Sequence, residues 1–288
     1  MTLLWSALAI GALYALVAAL FNIGMAQSGV FNFAAPQTVM VGAFVSYEFV
    51  SWGPQISAVL LVPICLLVGA VLGYVTELVA VRPVISRGGD GILITTVGVA
   101  FVLEGIAFAT YGTDGHRVSV FGLDRGIDLL GGRLAVVDIV LVFAAVAGIL
   151  ALHTLTRRSR WGLEGRAVTI DATSAMLRGI NGTRGRAQVL MLAGALGSAL
   201  GILAATKIHS SFDLGIQLLV YAFVAFAVGG IGSFHGCLVG GLIVGLLQAY
   251  TARYIGAEYS LIFAFALLLL TLLIRPTGLF GTRQLRLV

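Results

Sequence analysis

The sequence predicts an all-α, polytopic membrane protein in which about eight or nine helices form a single transmembrane domain over residues 1–288. Composition is the first reason. Hydrophobic residues make up 59% of the chain and charged residues only 10%, with a mean hydropathy of +1.06, whereas a soluble domain carries about 25% charged residues. The second reason is that long stretches, such as Leu3–Tyr47, carry no charged residue. Such a chain has too little polar surface to face water.

The crossings are predicted to be helices because only helices and closed barrels satisfy the backbone within lipid. Barrel strands alternate apolar and polar residues over about 10 positions, and Leu134–Leu152 shows no alternation. A helix needs about 20 residues to cross the hydrocarbon. The apolar segments that come close to this length are 3–21, 36–50, 55–81, 92–111, 134–155, 187–207, 216–232, 237–254 and 259–274.

The second and seventh segments are short for a full crossing, and glycine- or proline-containing breaks lie beside them. Gly24–Pro36 precedes the second segment, and Gly229–Gly236 follows the seventh. Interrupted helices often flank the substrate path of a transporter. The alternative is an ordinary loop that dips into the lipid headgroups, and the residues alone leave both interpretations open.

The distribution of basic residues predicts the orientation of the chain. Of 17 Lys and Arg residues, seven fall within Arg157–Arg186, two lie at Arg82 and Arg87, and three occur from Arg275 onwards. Basic loops stay in the cytoplasm, so these segments and the C-terminus are expected there, with the N-terminus and the loop 112–133 outside. The net charge of +5 thus indicates membrane orientation and not nucleic-acid binding. No cleavable signal peptide is expected, because the first basic residue is Arg82.

The sequence contains no motif of a zinc hydrolase, a P-loop nucleotide-binding protein or a serine hydrolase. Its four histidines are scattered, and Cys65 and Cys237 lie in apolar stretches with neither disulfide nor metal spacing. We therefore expect no catalytic residues, no metal and no cofactor. An ionisable group inside a membrane helix is costly and is a candidate functional group. Glu104 could line a polar path, take up a proton, or simply form a hydrogen bond inside the bundle. Glu77 is expected to pair with Arg82.

The segment Arg157–Arg186 is too polar to cross the membrane and too long for a tight turn. Asp171 is placed to cap a short helix, Ala172–Leu177, by accepting backbone N–H groups. Arg178 would then face the negative helix end, and Gly179 would supply the left-handed residue that ends the helix. A capped helix of this kind has the form of a docking surface. The alternative is a loop that binds anionic lipid.

Five stretches of the chain resemble the branched-chain amino acid permeases of bacterial ABC importers, in the order found in that family. The stretches are Asn32–Ala34 with Gly42 and Ala43; Arg82 and Pro83 with Ile94–Gly98; Trp161–Val168 with Ala175, Leu177 and Gly179–Asn181; Gly229–Ser233 with Gly236, Gly240 and Gly241; and Arg275–Gly281. Each motif is weak alone, but five in order are specific.

The resemblance implies a permease subunit of the bacterial cytoplasmic membrane that moves a small polar solute. It implies as partners a second, often non-identical permease, two cytoplasmic ATPase subunits and an extracytoplasmic substrate-binding protein, with membrane lipid around them. ATP hydrolysis would belong to the ATPase subunits. The residues implied for the substrate path are Asn32, Phe33, Gly42, Thr96, Glu104, Gly232 and Ser233. Those implied for ATPase coupling are Gly165, Arg166, Ala167, Asp171, Ala175, Leu177 and Gly179.

The chain departs from the family pattern at two places. Ala35 and Pro36 stand where the family usually has His-Gly, and relatives often carry Gln near Glu104. The cargo is therefore open among branched-chain amino acids, urea, amides, short peptides and aromatic acids. A rival hypothesis is an ion- or proton-coupled secondary transporter that uses Glu104. Charge reversal at Arg166 or a bulky residue at Ala175 is expected to weaken ATPase docking without unfolding the bundle.

Overall fold

The computed structural model describes residues 2–51, 58–89, 91–120, 122–123, 125–129 and 132–281. Most of this part of the chain is helical. The helices are α1 (Thr2–Ser28), α2 (Ala35–Ser51), α3 (Leu61–Thr76), α4 (Arg82–Ile85), α5 (Ile92–Tyr111), α6 (Val136–Arg158), α7 (Arg160–Ile170), α8 (Ala172–Leu177), α9 (Gly182–Lys207), α10 (Leu214–Gly229), α11 (Phe234–Tyr254) and α12 (Ser260–Ile274). A π-helical turn, Glu77–Val81, joins α3 to α4, and 3-10 turns at Ala58–Leu60 and Ala257–Tyr259 precede α3 and α12.

Seven helical spans in the described residues are long and apolar enough to cross a membrane, and this confirms the predicted fold class. They are Thr2–Ser28, Leu61–Ile85, Ile92–Tyr111, Val136–Arg158, Gly182–Lys207, Phe234–Tyr254 and Ala257–Ile274. The two remaining apolar segments form shorter helices, α2 with 17 residues and α10 with 16. These are the second and seventh segments of the sequence, which are short because breaks in the chain adjoin them.

Several predicted boundaries were wrong, and the first helix differs most. α1 continues to Ser28 instead of ending near residue 21. Asn22, which interrupts the apolar pattern, is buried and accepts a hydrogen bond from the backbone N–H of Gly232 at 3.0 Å. Its side-chain oxygen is therefore hydrogen-bonded inside the bundle, whereas its Nδ2 has no hydrogen-bond partner among the described residues, and the helix continues past it. The third span likewise continues through the π-helical turn to Ile85, and residues 55–57 of that predicted segment lie outside the described part.

Contacts between helix ends define two faces of the bundle. On one face the end of α1 meets α7, and the end of α3 meets the start of α9 through an ion pair between Glu77 and Arg186. We call this the coupling face, because α7 and α8 lie on it. On the opposite face, Lys207 at the end of α9 pairs with Asp138 in the first turn of α6. Since α1 and α3 both end on the coupling face, the helices alternate in direction along the chain only when the shorter helices α2 and α10 are counted.

The opposite face carries a β-hairpin that the sequence analysis did not predict. Strands β1 (Gly126–Leu129) and β2 (Gly132–Ala135) pair antiparallel, with Gly126 opposite Ala135. His116, earlier in the same connection, forms a β-bridge with Ser210 between α9 and α10. Its ring stacks on that of Tyr47 near the end of α2. The connection from α5 to α6 is therefore tied to the ends of α2 and α9.

Helix α1 lies at the centre of the bundle and packs against α6, α9, α10 and α11. Glycine allows the closest of these approaches. A Cβ atom at Gly11 would lie 2.9 Å from the carbonyl oxygen of Gly241 and the Cα of Leu242 on α11. Small residues let transmembrane helices approach closely, so that backbone dispersion contacts stabilise the bundle. Gly69 on α3 and Gly194 on α9 face each other's backbones in the same way.

Candidate translocation site and coupling surface

The chain between α1 and α2 crosses part of the bundle without helical structure. Gly29 ends α1 with a φ of +67°, a left-handed conformation that glycine adopts readily. Asn32 then forms a turn in which its Oδ1 accepts a hydrogen bond from the N–H of Ala34 at 2.9 Å. Pro36 follows in the first turn of α2, where a missing N–H costs nothing. Proline at position 36, where the family usually has another residue, is therefore compatible with the first turn of a helix.

A second break separates α10 from α11. Gly230 and Gly232 have φ values of +105° and +85°, and Ser233 caps α11 by accepting a hydrogen bond from the N–H of Gly236 at 3.1 Å. Residues of the C-terminal segment cover this break, since the N–H of Phe280 donates to the carbonyl of Gly229 at 3.0 Å. Gly232 and Ser233 therefore lie near the coupling face, where α12 ends.

Aromatic side chains fill the space between the two breaks. The ring of Phe31 lies 4.8 Å from Phe21, 4.9 Å from Phe33 and 5.4 Å from Phe226, measured between ring centroids. Phe223 on α10 completes the cluster at 5.9 Å from Phe31. Of these five rings only Phe33 was a predicted path residue. Aromatic pairs at such distances attract one another beyond simple burial, so the cluster joins the α1–α2 break to α10.

The α1–α2 break also contacts α5, because the backbone N–H of Phe33 donates to Oγ1 of Thr96 at 3.4 Å. Glu104 lies eight residues further along α5, about 12 Å along the helix axis. It is partly exposed and has no hydrogen-bond or ion-pair partner among the described residues. Asp213, just before α10, lies within electrostatic reach of Glu104 and accepts a hydrogen bond from Gln217 at 2.6 Å.

The structure groups the predicted path residues unevenly. Phe33 and Thr96 are in contact, and Glu104 lies on the same helix as Thr96. Asn32 and Ser233 form local turns and caps, and Gly42 lies within the contact between α2 and Ser198 of α9. Sequence reasoning missed Asn22, Phe31, Asp213 and Phe223. Asn22 could have been found as a lone amide within an apolar stretch.

The predicted coupling helix is present with the predicted bounds, Ala172–Leu177. Oδ1 of Asp171 accepts hydrogen bonds from the N–H groups of Thr173 and Ser174 at 2.9 and 3.1 Å. Gly179 has a φ of +84° and follows the helix end. Both ends of α8 are therefore formed by the residue types that the sequence analysis assigned to them. The helix α7 before it was not predicted, and the hydroxyl of Ser159 caps it by accepting from Gly162.

Replacing Asp171 by alanine is expected to loosen α8, whereas asparagine, which also caps helices, should preserve it. Ser174, through its hydroxyl and its N–H, lowers the pKa of Asp171 below the ordinary carboxyl value. A lowered pKa in the folded state means that the cap stabilises α8 fully above the unfolded pKa and is lost as the pH falls through the folded pKa. Amide hydrogen exchange at Thr173 and Ser174 should become several-fold faster in Asp171→Ala and stay slow in Asp171→Asn.

Exposure corrects one part of the predicted coupling surface. Leu177 is 84% exposed, and Met176 is 67% exposed. Ala175 is instead buried at 4% exposure, because that face of α8 packs back onto the protein. A bulky residue at Ala175 would therefore disturb the packing of α8 itself, contrary to the expectation of an effect on docking alone. Ile170 at the end of α7 is 86% exposed and extends the apolar surface.

The segment Arg157–Arg186, which we call the coupling loop, contacts the end of α1 directly. Gly165 on α7 lies against Gln27, so that any Cβ at Gly165 would overlap the Gln27 side chain. Gln27 is 2% exposed, and its side-chain oxygen and nitrogen have no hydrogen-bond partner among the described residues. Gly29 lies beside the methyl group of Thr169, whose Cγ2 would be 4.0 Å from a Cβ there. α7 thus touches the helix end from which the break departs.

A buried ion cluster joins α3 to the start of α9 beside this contact. Glu77 is fully buried, and its Oε2 lies 2.8 Å from Nη2 of Arg82. Nε of Arg186 lies 3.6 Å from the other carboxylate oxygen. The pairing of Glu77 with Arg82 was predicted; Arg186 was not. Thr95 of α5 donates to the carbonyl of Ala80 in the π-helical turn at 2.8 Å, so three helices meet here.

Cys65 and Cys237 are buried free thiols. Among the described residues, no group of three or more His, Cys, Asp or Glu side chains is arranged to hold a metal ion. His153 and His235 approach each other at 4.6 Å between ring centroids, at the ends of α6 and α11 on the coupling face. The geometry described so far is that of a membrane bundle with broken helices and an exposed apolar surface on α7 and α8.

Comparison with known proteins places this geometry in a family. The sequence profile of the branched-chain amino acid transport system permease component matches residues 3–272. LivH, the permease protein of the high-affinity branched-chain amino acid transport system of Salmonella typhimurium, is 29% identical, with 96% of this chain and 94% of LivH covered. BraD of Pseudomonas aeruginosa, named for the same transport system, is 29% identical over 95% of this chain and 93% of its own.

A more distant relative is the probable branched-chain amino acid transport permease LivH of Methanocaldococcus jannaschii, 26% identical over 87% of this chain and 82% of its own. All of these relatives are permease components of transport systems, which favours the ABC importer over the secondary transporter. The predicted resemblance is confirmed along nearly the whole chain. The chain therefore belongs to the family of branched-chain amino acid transport system permease components, as a multi-pass permease subunit of the inner membrane.

Proposed function

We propose that this chain forms half of the pore of an ABC importer for a small polar solute, with ATPase subunits docking on α8. The cargo class is a branched-chain amino acid or a related amide, urea or organic acid. The observation that carries the proposal is the contact between α7 and the broken end of α1. Gly165 lies against Gln27, and Gly29, where the break begins, lies beside Thr169.

Closure of the ATPase pair would act on this contact. A displacement of α7 and α8 moves Gln27 and Gly29, and with them the segment that carries Phe31 and Phe33. A buried amide without a hydrogen-bond partner is costly, and Gln27 is such a group in this conformation. A displacement of α7 that gave the Gln27 amide a hydrogen-bond partner would remove this cost, which suits a switch between outward and inward access.

We place the coupling face in the cytoplasm and the N-terminus outside. Arg82, Arg186 and the basic α6–α7 junction lie on the coupling face, and basic segments stay in the cytoplasm. The β-hairpin face would then receive the substrate-binding protein.

The second permease subunit is proposed to pack on α5. This helix has large exposed apolar residues, including Phe101 at 59% and Val102 at 62% exposure. Gly98 and Gly105 lie on the same side of the helix, and a Cβ at either would have no neighbour within 4 Å. Small residues seven apart form a flat strip suited to a partner helix. The path would then run past the partly exposed Glu104, with Thr96 buried behind it against the α1–α2 break.

Leucine at Gly98 and Gly105 is expected to abolish association of the two permeases while leaving this chain folded. The reason is that no atom of this chain lies within 4 Å of a Cβ at either position. The backbone of a partner helix packed there would instead collide with the added side chains. Size-exclusion chromatography with light scattering measures the association. Leu269→Phe, on the exposed side of α12, is the matched control and should associate normally. Normal association of the double leucine variant would remove α5 from the interface.

Glu104 and Asp213 place two carboxyl groups near each other beside the open side of α5, an arrangement that suits the ammonium group of an amino acid. A hydrogen bond to a charged group contributes about 1.5–3 kcal/mol, and about 1.4 kcal/mol is a factor of ten. Glu104→Gln should therefore reduce uptake of leucine about tenfold or more, with little effect on an uncharged amide.

The test of the proposed function is uptake into proteoliposomes that contain the assembled transporter and its binding protein. Transport should require ATP and should survive collapse of the ion gradients by ionophores. Leucine, urea, acetamide and benzoate as labelled solutes distinguish the cargo classes. Uptake that follows an imposed ion gradient, with Glu104→Gln abolishing that dependence, would overturn the importer proposal.

A further inference from the structure

A long apolar groove lies between α6 and α9 with α1 as its floor, away from the proposed path. It encloses about 810 Å³. Small residues line it on α6 at successive turns, namely Ala144, Gly148 and Ala151. Leu196 and Ala199 line the facing side of α9. The groove exists because these small side chains leave α6 and α9 apart, where larger ones would fill the space between the two helices.

The two ends of the groove differ in charge. Arg158 and Ser159 form its end at the coupling face, and Arg158 is exposed with no ion-pair partner among the described residues. At the other end, near Ala144 and Leu203, the lining is apolar. An elongated occupant with one anionic end and one apolar end matches this arrangement.

The length of the groove also matches such an occupant. From Ala144 to Arg158 the α6 axis advances about 21 Å, at about 1.5 Å per residue. One leaflet of the bilayer hydrocarbon is about 15 Å deep, half of a core of about 30 Å. The groove is thus longer than one leaflet is deep. An acyl chain that enters beside Arg158 can therefore lie within the groove over the whole length of the acyl chain.

We propose that this groove binds an anionic phospholipid of the leaflet at the coupling face, with an acyl chain between α6 and α9 and the phosphate on Arg158. The bound lipid joins α6, α1 and α9 where their own side chains do not meet. Ser159, at the mouth of the groove, also caps α7. The headgroup thus lies at the point where the coupling loop leaves the membrane, and occupancy steadies the start of that loop.

The proposal is tested by native mass spectrometry of the purified full chain in detergent, titrated with phosphatidylglycerol or with phosphatidylcholine that carries the same acyl chains. A basic residue near a membrane surface favours anionic lipid by roughly fivefold. We expect phosphatidylglycerol to bind about fivefold more tightly than phosphatidylcholine. Arg158→Gln should reduce that ratio to about one, and Arg157→Gln, the adjacent arginine outside the groove lining, should preserve it.

A second variant tests the position of the acyl chain. Ala151→Phe fills the groove without changing charge and should weaken both lipids about equally, with its fold checked by circular dichroism. Equal binding of the two lipids by the unaltered chain, equal effects of the two arginine variants, or unchanged binding in Ala151→Phe would each overturn the proposal. So would loss of bound lipid when the transporter assembles, because a protein subunit would then occupy the groove.

Discussion

Replacing Glu77 by glutamine is expected to lower the free energy of unfolding of this chain by about 3 kcal/mol. Glu77 is fully buried and faces the guanidinium groups of Arg82 and Arg186. Removing one partner of a buried ion pair leaves an uncompensated charge and costs about 3–5 kcal/mol. We expect a loss at the lower end of this energy range because the Arg82 side chain is 41% exposed, so water screens part of its charge. Unfolding by sodium dodecyl sulfate in mixed micelles measures the difference.

The matched control for this variant is Glu164→Gln on α7. Glu164 is exposed and forms no ion pair among the described residues, and substitutions at such sites usually change stability by less than about 0.5 kcal/mol. If Glu77→Gln lowers the free energy of unfolding by less than about 1 kcal/mol, the ion cluster contributes little to the stability of the bundle. A loss in both variants would indicate a general effect of net charge.

Aspartate in place of Leu177 is expected to weaken ATPase binding by at least about a hundredfold and to abolish ATP-driven uptake. Leu177 is 84% exposed in the isolated chain. Burying a leucine in an interface contributes about 1.5–3 kcal/mol, and an unpaired carboxylate in the same place adds a further penalty. Since about 1.4 kcal/mol is tenfold, the two effects together exceed a hundredfold. Binding of purified ATPase subunits to the permease in nanodiscs measures the change.

The fold of the Leu177→Asp variant should be unaffected, because the side chain contacts solvent and not the bundle. Leu279→Asp is the control, a partly exposed leucine in the C-terminal segment that packs against the α10–α11 break. It should bind the ATPase normally. Normal binding by Leu177→Asp, or equal losses in both variants, would show that α8 is not the docking helix.

The local signals in the sequence were reliable where neighbouring residues alone decide the structure. The coupling helix has its predicted bounds because Asp171 and Gly179 act on backbone groups within a few residues of themselves. The short lengths of α2 and α10 were likewise predictable, because glycine and proline beside them limit the helix whatever surrounds it. The pairing of Glu77 with Arg82 spans five residues along one helical span and belongs to the same class.

Other features depend on residues far apart in the sequence. The side-chain oxygen of Asn22 inside α1 is hydrogen-bonded by the N–H of Gly232, 210 residues away in the sequence. Arg186 joins the Glu77 cluster because α3 and α9 pack through glycines that no local pattern pairs with each other. Ala175 and Leu177 are both apolar residues of α8, two positions apart, and the packing of α8 onto the protein decided which of them faces outward.

The sequence by itself determined that this protein is a helical membrane bundle with a short capped helix at Ala172–Leu177, because hydropathy and capping act over lengths of one helix or less. The tertiary structure alone decided which residues of that docking surface are exposed, and that α7 rests on the broken end of α1. It also placed Phe31 and Phe223 together and left a groove between α6 and α9. These arrangements follow from how closely whole helices approach one another, and that distance depends on side chains from distant parts of the chain.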